Sequence, residues 1–420
     1  MIDLQSPPVS EPWRDAASYW PELTAATREL DAPCAVIHLG ALAHNAHDML
    51  RRAGGKPIRV ASKSVRVRDV LDAVLALPGY AGVLAYTLSE ALWLAADEPG
   101  RPGIRDVVVG YPSAERAAIA RLAASPELAA RVTLMVDSVA QLDLVDAVVA
   151  PSGRETIRVA IELDASWDGP AGHIGVWRSP VHSPGAARSL AEHVAARPGF
   201  ALVGMMSYEA QIAGQGDDPA HRPAYAQTVR WMQRRSKAEL LERRADAVAA
   251  VRDIAELEFV NGGGTGSLEF TSSDPSCTEI AAGSGLFGGH LFDNYRGFAP
   301  APATAFGLAV VRRPKRDTAT VLGGGWIASG PPGADRLPRV VWPEGLEMAP
   351  REMAGEVQTP LSGPAAEPLR VGDRVWFRHT KSGELSEHVN EFALVGEVPG
   401  GAAAVAGTAA TYRGEGKAFL

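Results

Sequence analysis

The sequence predicts an α/β protein: a (β/α)8 TIM barrel with an additional C-terminal β-rich domain. Three observations predict it. Short runs rich in Val, Ile and Leu alternate eight times with longer Ala, Leu, Arg and Glu stretches of helical spacing, the pattern of strands buried on both faces of a parallel sheet. From about Pro300 the pattern changes to short apolar runs broken by Gly and Pro, a β-domain composition. The 420 residues also exceed what a single hydrophobic core usually supports, so one large and one smaller domain are expected.

In chain order, residues 34–39 read as a strand and 41–52 as a helix, and this first strand can belong to the second domain instead of the barrel. The eight barrel strands are expected at 58–62, 82–86, 106–110, 132–137, 157–164, 201–208, 257–261 and 279–283. Helices are expected between them, among others at 67–77, 89–96, 114–124 and 139–149. Eight units over about 240 residues match the usual size of such a barrel, with an open doubly wound sheet as the alternative. The stretch 221–253 reads as an enlarged helical excursion whose mixed Arg and Glu form a solvated face. Strands of the second domain are expected at 308–311, 318–322, 339–342, 373–378 and 393–395. The barrel is thus placed at 40–300 and the β domain at 301–420, joined by the segment 1–39.

A net charge of -8 offers no general field for nucleic acid or anionic membrane. Cys34 and Cys277 stand alone, without a C-x-x-C or Cys/His cluster, so neither a disulfide framework nor a thiolate zinc site is expected. Residues 1–15 lack the apolar run of a secretion signal, and no apolar run reaches the roughly 18 residues that would span a bilayer. These features fit a cytoplasmic protein.

The seventh expected strand runs directly into Asn261-Gly262-Gly263-Gly264-Thr265-Gly266-Ser267. Consecutive glycines let backbone N–H groups converge on an anion, and barrels of this kind often hold phosphate after strands seven and eight. The competing reading is a tight turn that needs positive φ. Gly283-Ser284-Gly285 ends the eighth strand and can close on the same anion. Lys63 follows the first barrel strand, at the end where active sites of this fold lie. Partly desolvated and near Arg59 and Arg66, its amine would be activated for covalent attachment to a carbonyl; a surface lysine is the plain alternative.

With these residues in place the chain resembles the fold-type III pyridoxal-phosphate enzymes, which include alanine racemases, D-threonine aldolases and D-serine dehydratases. It looks closest to the branch described as amino acid deaminase/aldolase. The resemblance runs from about Pro33 onward and rests on Pro33 to Leu39, Ala61-Ser62-Lys63-Ser64, the glycine stretch from Asn261 to Ser267, and Thr278 to Ser284. It implies pyridoxal 5'-phosphate carried on Lys63, with phosphate held by Gly263, Gly264, Thr265, Gly266, Gly283 and Ser284. Tyr208 matches a family tyrosine near the cofactor, core packing being its alternative role. Gly214 stands where many aldolases place a catalytic histidine.

Two further departures bear on the reaction. In the aldolases and dehydratases a late His-x-Asp or His-x-Cys pair binds a divalent metal; here the stretch is His379-Thr380-Lys381, and an ammonium cannot ligate a metal. The site is then either empty, with Lys381 supplying the missing charge, or completed from elsewhere by Glu384 or His388. His379 is also a candidate base. The family arginine facing the pyridine nitrogen aligns with His173, although Arg178 lies only five residues on and a packed or surface histidine is the alternative. The motifs Gly323 to Ser329 and Glu356 to Pro360 either line a partner's pocket across a dimer interface or simply pack the β domain. The expectation is a homodimeric lyase acting on a β-hydroxy-α-amino acid of D configuration. An amino acid racemase and a non-catalytic pyridoxal-phosphate carrier are the alternatives.

Overall fold

The computed structural model describes residues 2–170, 172–381, 383–397 and 403–420. The chain divides into two compact units, one made of Met49–Lys63, Pro78–Gly283 and Phe419–Leu420, the other of Met1–Asp48, Ser64–Leu77 and Ser284–Ala418.

The first unit is a closed barrel of eight parallel strands: β1 (Ile58–Ala61), β2 (Tyr80–Ala85), β3 (Val107–Val109), β4 (Val132–Val136), β5 (Ile157–Glu162), β6 (Phe200–Ser207), β7 (Phe259–Gly262) and β8 (Glu279–Ala282). Neighbours in sequence are neighbours in the sheet, and β8 closes on β1 through Ile280 beside Ile58. Each strand falls within two residues of its expected position at either end. The runs of Val and Ile are buried on both faces because one face meets the surrounding helices and the other fills the barrel. Val108, Met135, Ala160, Val203, Met206 and Phe259 pack one layer of the interior.

A second interior layer is ionic. Arg59 on β1 donates to Glu279 on β8 at 2.7 and 2.9 Å and to Asp106 at 2.8 Å, and lies over the Phe259 ring. Buried in this way, the guanidinium is held charged by its carboxylates despite desolvation. Arg59 is therefore neutralised inside the barrel and does not act as the activating cation expected beside Lys63. The 30-residue helix Pro223–Arg252 is the expected excursion. A two-stranded hairpin, Trp167–Gly169 with Gly172–Ile174, follows β5 and has no counterpart in the sequence reading, its strands being only three residues long.

In the second unit nine strands, among the described residues, form one sheet. Cys34–His38 lies within it, antiparallel to Thr304–Lys315 and parallel to Glu391–Glu397. Tyr19, Trp20, Leu23, Val36, Trp376 and Val395 form its core, and the Trp376 indole donates to Thr24 Oγ1 at 2.8 Å. Gln358–Ser362 and Ala403–Ala410 are strands that sequence reasoning missed. Pro360 weakens the strand signal of the first, and five alanines give the second a helical one. Both are secured by long ladders, to Thr318–Leu322 and Glu391–Glu397. Among the described residues no helix is long and apolar enough to cross a membrane.

Candidate active site

Lys63 sits in a single 3-10 turn, Ser62–Ser64, that ends β1. The turn is pinned by Ser62 Oγ, which donates to the Leu84 carbonyl of β2 at 3.1 Å. The lysine is exposed, and its Nζ donates to the hydroxyl of Tyr111 at 3.1 Å. The Arg178 guanidinium lies over two rings, 5.5 Å from the centre of Tyr111 and 5.6 Å from that of Tyr208. Tyr208 follows β6, and the surrounding protein raises its phenol to about 12 by desolvation, partly offset by Arg178. Its ring edge abuts Gly264: a Cβ on that glycine would lie 3.2 Å from Tyr208 and 3.0 Å from Ala213. An unbroken path, Lys63, Tyr111, Arg178, Tyr208, Gly264, thus connects the amine to the glycine loop.

The loop turns at Gly263, whose φ of +84° is disfavoured for any other residue. The tight-turn reading of this motif is thus met at Gly263. The turn brings Gly263 N–H onto Glu209 Oε2 at 3.0 Å and Gly264 N–H onto Ser267 Oγ at 3.2 Å, so these two donors point into the protein. Thr265–Ser267 then form a single 3-10 turn. Gly283, after β8, lets the backbone approach β1: a Cβ there would lie 2.5 Å from the Ala61 carbonyl oxygen. Ser284 is the next residue and opens the short helix Ser284–Phe287.

His173 lies on the hairpin after β5. Its Nδ1 faces Asp168 at 3.1 Å and its ring stacks on the exposed Trp177 at 3.9 Å. Arg178, mentioned by sequence reasoning only as a rival, is the cation that reaches Tyr111 and Tyr208. Sequence reasoning missed Tyr111 and Glu209, whose places after β3 and β6 are the signal that could have found them. It also missed Glu162, the last residue of β5, raised to about 7 by burial, with Arg178 opposing and Asp137 and Asp164 adding to the rise.

The sequence profile described as "Alanine racemase, N-terminal domain" matches residues 37–290, more than half of the chain. The chain belongs to the alanine racemase N-terminal domain family. This family member is 32% identical over 268 residues to 3-hydroxy-D-aspartate aldolase of Paracoccus denitrificans, covering 62% of this chain and 61% of that protein. It thus spans about three-fifths of the length of the curated relatives it matches. In fold it is similar to D-threonine aldolase from Filomicrobium marinum, with a TM-score of 0.72 at 22% identity over 91% of this chain and 96% of that one. It is likewise similar to D-threo-3-hydroxyaspartate dehydratase from Delftia sp. HT23, with a TM-score of 0.66 at 22% identity over 91% and 97%.

The barrel of this alanine racemase-family chain fits the cofactor that its resemblance implies. A primary amine stands at one strand end and a tight loop of small residues at another, where even a methyl group at Gly264 would crowd Tyr208 and Ala213. The second unit does not fit the metal. The Lys381 ammonium donates to Ser329 O at 2.9 Å, and Glu384 Oε1 accepts Ser329 N–H at 2.8 Å. The His388 ring is stacked on Trp326. His379 is fully enclosed, its Nδ1 against Thr304 Oγ1 at 3.2 Å, and burial lowers it to about 3. Glu384 Oε2 is buried without a hydrogen bond, a single oxygen where a divalent site needs about four ligands. Among the described residues no three His, Cys, Asp or Glu side chains could hold a metal ion together. Arg66, the other cation expected to activate Lys63, is paired with Glu387.

Proposed function

We propose that this chain is a pyridoxal-phosphate-dependent lyase acting on a β-hydroxy-α-amino acid of D configuration, by retro-aldol cleavage in preference to deaminating dehydration. The observation that carries the reading is the path from Lys63 through Tyr111, Arg178 and Tyr208 to the glycine loop, at the strand ends where barrel chemistry occurs. The similarity to a 3-hydroxy-D-aspartate aldolase supports the substrate class.

Lys63 would hold the cofactor through its amine. Thr265, Gly266 and Ser284 would hold its phosphate, while Gly263, Gly264 and Gly283 keep the loops close and free of side chains. When bound, the cofactor supplies a sink for the electrons left as a bond at the substrate's α-carbon breaks. The Lys63 amine, at the end of β1, would also be available to hold and move a proton at the site. Tyr111, 3.1 Å away, takes or returns the proton held at Nζ. Arg178 fixes the two tyrosine rings and keeps positive charge beside them, which favours an anionic substrate. His173 orders the hairpin that precedes Arg178. His379, whose conjugate acid burial strongly disfavours, orients its segment, and Lys381 supplies positive charge there without a metal. The protein acts as a homodimer in the cytoplasm.

The test is to incubate purified protein with a panel of D- and L-amino acids and identify the products. Glycine plus an aldehyde from a D-β-hydroxy amino acid is expected. Keto acid and ammonia would assign dehydration, and scrambled stereochemistry without cleavage would assign a racemase. If borohydride reduction of the cofactor-saturated protein leaves the Lys63 peptide unmodified, the reading is overturned.

A further inference from the structure

The loop that approaches the candidate phosphate position is organised from behind by one buried carboxylate. Glu209, wholly inaccessible to solvent, directly follows Tyr208. It accepts four hydrogen bonds: from Ser267 Oγ at 3.1 Å and Thr271 Oγ1 at 2.6 Å on Oε1, and from Gly263 N–H at 3.0 Å and Arg244 Nη2 at 2.9 Å on Oε2. Ser267 Oγ in turn accepts Gly264 N–H. One side chain therefore fixes, directly or through one hydroxyl, the peptide planes at both Gly263 and Gly264. Those glycines lack a side chain to hold them, and Gly263 sits at a positive φ; without Glu209 its N–H would be a buried donor without a partner.

A buried carboxylate behind an anion site is a liability unless its charge is cancelled. Arg244 does this. Also wholly buried, it projects from the helix Pro223–Arg252 and bridges Glu209 to Asp274, 2.8 Å from Nη1. The Asp274 end receives further donors: Ser276 N–H bonds its carboxylate, and Lys56 donates to its carbonyl and to Thr271 O. On the outer side, Arg52 donates to the Thr265 carbonyl at 2.8 Å and is paired with Glu269. Cations thus grip the loop from both sides, while the carboxylate dictates its shape.

Resting on the pyridoxal-phosphate reading above, we infer that Glu209 is a positioning residue for phosphate recognition, with Arg244 as its obligatory counter-charge. It touches neither the substrate nor the reacting atoms. It presets the loop so that the next residues, Thr265 and Gly266, meet the phosphate ester already oriented. The residue is specific to the phosphate and contributes nothing to recognition of the ring or the aldehyde.

The experiment compares binding of pyridoxal 5'-phosphate with that of pyridoxal, which has the same ring and aldehyde but no phosphate, by titrating the visible absorption of wild type, Glu209→Gln and Thr271→Val. Glu209→Gln replaces charge-assisted acceptors by a group that also presents donors to Gly263 and Arg244. The expected result is a loss of phosphate-ester affinity of about 10- to 100-fold. Affinity for pyridoxal should be unchanged. Thr271→Val, the milder change should Glu209→Gln fail to fold, is expected to lose about 3- to 10-fold for the phosphate ester alone. Equal losses for both ligands, or no loss for either, would overturn the inference. Failure of wild type to bind either ligand at Lys63 would instead overturn the cofactor reading.

Discussion

Replacing Gly263 and Gly264 by alanine, one at a time, separates what each glycine does, although they are neighbours in one motif. At Gly263 the methyl group meets two obstacles. The φ of +84° costs a non-glycine residue about 1–2 kcal/mol. The new Cβ would also fall 2.6 Å from Ile280 Cγ2 and 2.8 Å from Thr271 Oγ1. Thr271 cannot retreat without breaking its 2.6 Å bond to Glu209, so a further 1–3 kcal/mol of overpacking is expected. Gly263→Ala should therefore cost about 2–5 kcal/mol. Gly264 has φ near -163°, open to any residue, and its Cβ would meet Ala213 at 3.0 Å and Tyr208 at 3.2 Å, contacts that a shift of a few tenths of an ångström relieves. Its cost to stability should stay below about 1 kcal/mol. The displaced part is the Tyr208 ring, so Gly264→Ala should act on cofactor affinity and turnover. Urea unfolding with matched cofactor titration is the assay. Equal destabilisation by the two variants, or a Gly264→Ala enzyme with wild-type cofactor affinity and turnover, would refute this account of the loop.

Glu162 gives a pH-dependent prediction. Its folded value of about 7 lies above the ordinary 4.5, so between these pH values the native state holds a proton that the unfolded chain has released, and stability falls as pH rises through this window. The displacement is worth about 3 kcal/mol at most, so Glu162→Gln should be more stable than wild type by up to that amount at pH 8 and no different at pH 4, read by denaturation at the two pH values. Tyr111→Phe removes the hydroxyl 3.1 Å from Lys63 and should lower kcat about 100-fold while leaving KM within a few-fold; a lowered kcat/KM with unchanged kcat would argue against a proton role. Elemental analysis of the purified protein should find far less than one divalent metal per chain, and prolonged chelation should leave turnover intact. Stoichiometric metal whose removal abolishes turnover would show that the ligands come from beyond the arrangement of His379, Lys381 and Glu384.

What was legible in the sequence follows from how each feature is encoded. The barrel strands are runs of Val and Ile because each strand is buried on both faces, and such runs can be read directly; β3, Val107-Val108-Val109, is the extreme case. The glycine loop was legible because backbone geometry leaves its signature in residue type, as the positive φ at Gly263 shows. The network behind it was not. Glu209, Arg244, Thr271 and Asp274 are spread over 66 positions and meet only because β6, the long helix and the turn after β7 converge. Nothing about Arg244 distinguishes it from Arg243 in sequence. Yet Arg244 is wholly buried on two carboxylates, while Arg243 bonds Glu239 one turn earlier on its own helix and three carbonyls.

The position of Arg178 shows why spacing alone misses the cation that reaches the Tyr111 and Tyr208 rings. An alignment that counts residues back from Gly175-Val176 arrives at His173 and leaves Arg178 outside the motif. In the structure the chain after β5 folds into the hairpin Trp167–Gly169 with Gly172–Ile174 and then turns at Gly175, at φ +150°, where a Cβ would lie 2.4 Å from that of Ser166. Only glycine allows so close a return. The turn sends His173 to Asp168 and Trp177, and it delivers Arg178 to the Tyr111 and Tyr208 rings. A side chain larger than hydrogen at position 175 should therefore remove the Arg178 charge from the site without touching any residue of the chemistry. Gly175→Ala should then reproduce the kinetic defect of Arg178→Met, which removes the charge but keeps the length of the side chain. If Gly175→Ala loses stability but retains wild-type turnover, Arg178 is not held in place by this turn, and the reasoning that makes it the cation of the site fails.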